Sequence, residues 1–100
     1  MRMMLKAHLD VEAANLAIGD GSIANVFGKV FGLAKPEATY FLVEAGRRTV
    51  YAVFEMPSPE MIPIIAEPLF QAFGAELSFL PVMTQPDLEA GLRNAATARG

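Results

Sequence analysis

The residues best suited to chemistry fall at alternating positions of segments that have the composition of β-strands. His8 is the only histidine of the 100-residue chain, and imidazole is the side chain that most readily exchanges a proton near neutral pH. A histidine together with a tyrosine suits proton transfer, with His8 as a general base and Tyr51 as a hydrogen-bond donor to an enolate or phenolate. Strand alternation places five polar residues on the face that His8 occupies, namely Lys6, Tyr40, Glu44, Tyr51 and Glu55.

The same residues also have purely structural interpretations. His8 fits a hydrated interface between two copies of the chain as well as it fits a catalytic base. Tyr40 and Tyr51 are expected to be diagonal neighbours on adjacent strands, which either frame an aromatic ligand or simply pack against each other. The pattern leaves these alternatives open.

The carboxylates favour ion pairs over metal binding. Glu44 lies close in sequence to Arg47-Arg48, and Glu55 is expected to pair with Lys6. His8 with one or two glutamates is a thin ligand set, and a His-x-x-x-His pair is excluded because the chain has one histidine. We therefore expect no metal site and no cofactor.

A β-hairpin is the element that must position most of these side chains. Residues 39–44 and 49–55 are rich in aromatic and β-branched types, which are typical of strands. A loop at Gly46-Arg47 is favoured because glycine readily adopts the positive φ of a two-residue primed turn. In that register Leu42 lies opposite Tyr51, and the hairpin is sorted into two faces.

Five further segments surround the hairpin. Hydrophobic periodicity, helix caps and prolines mark their limits. They begin with a strand at 3–9 and a helical segment that starts after the N-cap Asp10, breaks at 19–22 with Ser22 as a candidate second N-cap, and ends at Lys35. The next helix has Ser58 as its cap, Pro59 suited to its first position and Gly74 at its end; because Pro63 and Pro68 each remove a backbone donor, we expect a late start near Ile62, a kink near Pro68, or both. A strand at 76–83 and a short helix at 87–93 follow.

This order of segments predicts an α+β fold, a ferredoxin-like βαββαβ four-stranded antiparallel sheet with two helices on one face. No linker or repeat interrupts the pattern, so residues 1–93 are expected to form a single domain and residues 94–100 a flexible C-terminal tail. The helices are expected to cover the drier side of the strands, which carries Met3, Leu5, Ala7, Leu9, Phe41, Val43, Val50, Ala52 and Phe54.

The other side of the sheet is too apolar for full exposure and too charged for a core. We expect it to close on a second copy of the chain, which gives a dimeric α/β barrel with a small cavity between the two sheet faces. His8 and Tyr51 are the candidate catalytic residues of this cavity. The candidate ligand-binding residues are Lys6, Tyr40, Leu42, Glu44, Val53 and Glu55.

Composition narrows the classes of function. Hydrophobic residues make up 53% of the chain and the net charge is −3, which argues for an apolar surface that needs a partner and against nucleic-acid binding. The absence of cysteine excludes disulfides and thiolate chemistry. The first ten residues lack the pattern of a signal peptide, and no apolar run approaches the ~20 residues of a membrane span. We expect a cytoplasmic protein that does not bind membranes.

Three stretches resemble a known superfamily: residues 35–41 (KPEATYF), 64–73 (IIAEPLFQAF) and 81–88 (PVMTQPDL). They are similar to the dimeric α/β-barrel superfamily and, within it, to a group of small uncharacterised bacterial proteins of the DUF3303-like kind. The resemblance implies the fold and a homodimer. The superfamily includes cofactor-independent monooxygenases, muconolactone-isomerase-like enzymes and dye-decolourising enzymes, which share no single catalytic set, so no functional residue is carried over from it.

Three functions therefore remain open. The chain is expected to bind a small hydrophobic or aromatic molecule in the cavity between the sheet faces without transforming it. Alternatively, it is a cofactor-independent monooxygenase- or isomerase-like enzyme with His8 as the base. A third alternative is a structural or protein-interaction dimer without a ligand, which a filled cavity would favour.

Overall fold

The computed structural model describes residues 1–99, in which four strands and four helices alternate. Apolar residues at every second position form strands, as in β1, and apolar residues at helical spacing form helices, as in α2 and α3. The elements are β1 (Arg2–His8), α1 (Val11–Gly19), α2 (Ser22–Ala34), β2 (Ala38–Glu44), β3 (Arg47–Glu55), α3 (Met61–Phe73), β4 (Glu76–Pro81) and α4 (Gln85–Arg99).

The strands form one antiparallel sheet in the order β2-β3-β1-β4. Read from the other edge the order is β4-β1-β3-β2. The parallel strands β1 and β2 are separated by β3, and the parallel strands β3 and β4 are separated by β1, so two split βαβ units interleave. The predicted α+β class is confirmed.

The core lies between one face of the sheet and the helices α1, α2 and α3. Phe54 and Phe73 are fully buried at its centre. The alternation predicted for β1 and β3 is confirmed, since Met3, Leu5, Ala52 and Phe54 all belong to the buried cluster. Burial of this apolar area is the main contribution to folding.

The prediction for the edge strand β2 is wrong in part. Phe41 and Val43 point to the helical side of the sheet, as expected, but their exposed fractions are 66% and 76%. Their neighbour Val50 in β3 is buried. The helices therefore cover the centre of the sheet and leave the end of β2 open.

The hairpin register differs from the prediction by two residues. The turn is Ala45-Gly46, with positive φ at both positions, so Glu44 lies opposite Arg47 and Tyr40 opposite Tyr51. Alanine was not expected at a left-handed position, because its Cβ is strained there. A shift of two residues preserves the alternation of side chains, so the two predicted faces are correct although the pairs are not.

The first helical segment is divided as predicted. Asp10 caps α1 through a 3.0 Å bond from the Ala13 amide, and Gly21 separates α1 from α2 with a φ of 79°. Ser22 begins α2 and does not cap it; its amide donates instead to the side chain of Asp20. The break redirects α2 across the sheet, where Phe27 stacks on Phe73 with 5.3 Å between ring centroids.

The other helices agree with the prediction in part. α3 begins at Met61, one residue before the late start expected near Ile62, so Pro59 is not its first residue, and Gly74 ends it in a left-handed conformation as predicted. The last helix is longer than predicted and continues to Arg99, through most of the segment expected as a tail; Gly100 lies outside the described residues. None of the α4 residues is buried. Among residues 1–99, no helix is long and apolar enough to cross a membrane.

Candidate functional site

The sheet face opposite the helices carries the candidate site. We call it the open face. Its side chains are exposed or half-buried, apart from buried Thr49, because α1 to α3 cover the other side. They include Arg2, Met4, Lys6 and His8 of β1, Arg47, Thr49, Tyr51, Val53 and Glu55 of β3, Tyr40, Leu42 and Glu44 of β2, and Glu76, Ser78 and Leu80 of β4.

His8, Glu44 and Tyr51 form a hydrogen-bonded cluster on this face. His8 Nε2 lies 2.8 Å from Glu44 Oε1. The Tyr51 hydroxyl donates to the same carboxylate, at 2.7 Å from Oε1 and 2.8 Å from Oε2. The three residues come from β1, β2 and β3, and we refer to them as the triad.

The strand ends explain how the triad assembles. His8 is the last residue of β1 and lies opposite Thr49, while Glu44 is the last residue of β2 before the hairpin turn. The two-residue turn returns β3 immediately, so Tyr51 reaches back along the hairpin to the carboxylate. The site therefore depends on pairing between strands that are distant in sequence.

The triad has a defined protonation pattern. The hydrogen bond from His8, and to a smaller extent that from Tyr51, lowers the pKa of the Glu44 carboxyl, which is therefore ionised at neutral pH. The bond to Glu44, followed by burial, raises the pKa of the Tyr51 hydroxyl, which keeps its proton. A carboxylate accepts only, so His8 must donate from Nε2, and in the neutral imidazole Nδ1 then carries the free lone pair.

Two basic residues support the triad. Lys6 Nζ lies 5.1 Å from the centroid of the Tyr51 ring, a distance typical of a cation–π contact. Arg47 binds the backbone carbonyls of His8 and Leu9 at 3.2 Å each and pairs with Glu76 at 3.0 Å. Arg47 thereby holds the chain segment on which His8 lies.

Sequence reasoning missed this role of Arg47. It assigned Arg47 or Arg48 to a salt bridge with Glu44, which is wrong because Glu44 binds His8 and Tyr51. One local feature pointed to this role: Arg47 directly follows the tight turn and begins β3, which pairs with the end of β1. Its acceptors, however, are backbone carbonyls, which no side-chain pattern reveals.

The remaining predicted site residues lie outside the triad. Tyr40 is directly opposite Tyr51, not diagonal to it, and its exposed fraction is 68%. Leu42 and Val53 lie on the open face as expected and are half-buried. The predicted pair of Glu55 with Lys6 is wrong, because Glu55 binds the amino group of Met1.

Tyr51 does not have a free proton for a ligand in this arrangement. Its hydroxyl donates to Glu44. The predicted role of Tyr51 as a donor to an enolate would require the Tyr51–Glu44 bond to break. Tyr51 acts here as a positioning residue for the carboxylate, and His8 is the one triad member with a basic lone pair available. Within residues 1–99, no group of three or more histidine and carboxylate side chains is arranged to hold a metal ion.

The triad predicts a pH dependence of stability. The pKa of Glu44 lies below its ordinary value of 4.5, so the triad stabilises the folded state above that pH and the contribution is lost as the pH falls through the lowered pKa. We expect Glu44→Gln to lower the urea midpoint at about pH 7 and to have a smaller effect at about pH 4, below the ordinary pKa of 4.5. Urea unfolding of both proteins across this range measures the difference.

Asp20 and Asp87 also have lowered pKa values, but both are present in the wild type and in the variant. Their contributions to the pH dependence therefore cancel when the two proteins are compared. Glu89→Gln on the exposed helix α4 is the matched control and should give curves parallel to the wild type. A Glu44→Gln deficit of equal size at both pH values would contradict the prediction.

Comparison with known proteins does not assign the chain to a family. No known family model matches the chain, and no curated protein matches it. The resemblance of residues 35–41, 64–73 and 81–88 to the dimeric α/β-barrel superfamily remains a hypothesis.

Proposed function

We propose that the chain forms a homodimer through the open face and binds a small aromatic or hydrophobic molecule between the two sheets, beside the triad. The observation that carries this proposal is a half-buried, hydrogen-bonded His–Glu–Tyr cluster on a face that also carries the apolar side chains of Met4, Leu42, Val53 and Leu80. The resemblance to dimeric α/β barrels supports the same assembly.

The composition of the open face fits a ligand site. Small-molecule sites are mostly apolar, with a few polar groups that orient the ligand. Met4, Leu42 and Val53 supply apolar surface, and the triad supplies the polar groups. Tyr40 and Leu80, which are 68% and 44% exposed, would leave water when a second copy covers the face.

The test of assembly is the solution mass by light scattering at low micromolar concentration. The proposal expects twice the chain mass of 10.8 kDa. Tyr40→Asp, an exposed open-face position outside the triad, should shift the mass to that of one chain. Leu16→Asp places the same charge at an exposed apolar position on the helical side and should leave the dimer intact.

The test of binding is calorimetric titration of the dimer with a panel of small aromatic alcohols, phenols and ketones. The proposal expects at least one to bind, and His8→Gln to weaken that binding. A monomeric wild-type protein would overturn the assembly. A dimer that binds none of the panel would overturn ligand binding and favour a structural or protein-interaction dimer.

A cofactor-independent enzyme is the second candidate, and the tautomer of His8 favours it. With Nε2–H donated to Glu44, Nδ1 can take a proton from a carbon next to a carbonyl group. The electron pair left on that carbon becomes the enolate, and return of the proton to another carbon completes an isomerisation without an oxidant. An oxygenase-like reaction would additionally need dioxygen.

Deuterium exchange into enolisable diketones, followed by NMR, tests this candidate without knowledge of the natural substrate. We expect exchange above the buffer rate for the wild-type protein and no enhancement for His8→Gln. Ser78→Ala, at an exposed open-face position outside the triad, serves as the matched control. Exchange that survives loss of His8 would exclude His8 as the base.

A further inference from the structure

A groove on the helical side of the sheet is separate from the triad. It has a volume of about 450 Å³ and lies between α2 and the β2–β3 hairpin. Pockets that hold small ligands usually measure about 300–1,000 Å³, so this groove is large enough for one. Side chains that line it include Leu9, Ile23, Phe27, Phe41, Val43 and Arg48.

The groove exists because the helices stop short of the end of β2. Phe41 and Val43 face the helical side and yet are 66% and 76% exposed. Opposite them α2 presents Ala24, an exposed small residue at the wall of the groove, and Phe27, whose ring meets Phe41 edge-on at 6.1 Å between centroids. The walls are therefore apolar and partly aromatic.

Arg48 supplies the one charge among the lining residues. It lies opposite Val43 in the hairpin, on the helical side, and is half-buried. Its Nη2 donates to the neutral amide oxygen of Asn15 at 2.9 Å, and no carboxylate in residues 1–99 lies within 4.0 Å of its guanidinium. Arg47, in contrast, is occupied by Glu76 and two carbonyls.

We propose that this groove is a second binding site, separate from the triad, for an amphipathic carboxylate with an apolar body and one anionic head group. The apolar body packs between Phe27, Phe41 and Val43. The carboxylate accepts hydrogen bonds from the guanidinium of Arg48, whose planar fork matches carboxylate geometry. Charge complementarity thus selects an anion over a neutral molecule of the same shape.

Calorimetric titration with decanoate, and with decan-1-ol as its neutral counterpart, tests the proposal. We expect wild-type protein to bind decanoate more tightly than decan-1-ol. Arg48→Gln should weaken decanoate binding about tenfold or more, since bonds to a charged group are lost, and leave decan-1-ol unchanged. Arg93→Gln, an exposed arginine on α4, is the matched control and should change neither.

Two variants test the location. Ala24→Trp fills the groove from an exposed helix position and should abolish binding of both probes, with folding checked by circular dichroism. Val43→Glu places beside Arg48 a carboxylate with the same negative charge as the decanoate head group, and it should weaken decanoate binding more than decan-1-ol binding. Amide shifts on decanoate addition should fall on residues 41–43 and 23–27, whereas the open-face proposal predicts shifts at Lys6 and His8.

Three outcomes would overturn the proposal. They are the absence of decanoate binding up to millimolar concentration, binding that Ala24→Trp leaves intact, and binding that Arg48→Gln leaves intact. Shifts confined to the open face would assign decanoate to the triad site instead. Failure of the groove leaves the open-face proposal standing, because the two sites share none of the substituted residues.

Discussion

Replacement of Phe73 by alanine is expected to lower the free energy of unfolding by about 3–5 kcal/mol. Phe73 is fully buried at the end of α3, and its ring stacks on Phe27 of α2. Its truncation removes contacts between two helices and the sheet and leaves a cavity in the core, while the Phe73 carbonyl still accepts the Asp10 amide at 3.0 Å and holds this part of the backbone. Urea unfolding followed by circular dichroism measures the loss.

Phe70→Ala is the control for this prediction. Phe70 lies on the same helix, three residues earlier, with an exposed fraction of 44%. The same chemical truncation should therefore cost about 1 kcal/mol or less. Similar losses for Phe70→Ala and Phe73→Ala would show that the packing of α3 differs from the one described.

Replacement of Arg47 by alanine is expected to cost about 2–3 kcal/mol. The guanidinium, with a side-chain exposure of 24%, binds the carbonyls of His8 and Leu9 and pairs with Glu76, so it ties the end of β1 to β3 and β4. Its loss leaves two part-buried carbonyls without these donors. The carbonyl of His8 would also be released, so the NMR signals of the His8 ring should shift in the folded variant.

Two variants separate the components of this effect. Glu76→Gln removes the ion pair alone and should cost less than about 0.5 kcal/mol, because Glu76 is 75% exposed. Arg47→Lys keeps the charge but not the planar fork, and it should recover only part of the loss. Equal losses for Glu76→Gln and Arg47→Ala would attribute the effect to the ion pair and contradict the prediction.

The alternation of apolar residues was sufficient to predict the sheet and its two faces. In β1, and in β3 from Val50 onwards, every second residue is apolar and buried, and this periodicity depends only on backbone geometry. Gly74 and the Gly19–Ser22 break were equally local signals. The exposure of Phe41 and Val43 was not predictable, since it depends on how far α2 extends over the edge strand β2.

The sequence predicted which side of the sheet carries the candidate site but not the hydrogen bonds between its residues. Parity placed His8, Glu44 and Tyr51 on the same side of the sheet, because side chains alternate regardless of register. Their mutual hydrogen bonds depend on the Ala45-Gly46 turn, and the sequence favoured Gly46-Arg47 because alanine rarely adopts a positive φ. The positive φ of Ala45 therefore sets the register in which Glu44 reaches His8 and Tyr51.

The Ala45-Gly46 turn also governs which insertions and deletions the hairpin tolerates. A residue gained inside the turn can be accommodated as a longer loop, because loops of three to five residues also close hairpins and leave the strand pairs unchanged. A residue gained within β2 or β3 alone instead shifts that strand against its partner, inverts its alternation beyond the insertion and turns charged side chains towards the core. Homologues whose length varies at the turn are therefore expected to keep the triad, whereas those whose length varies within β2 or β3 are expected to lose it.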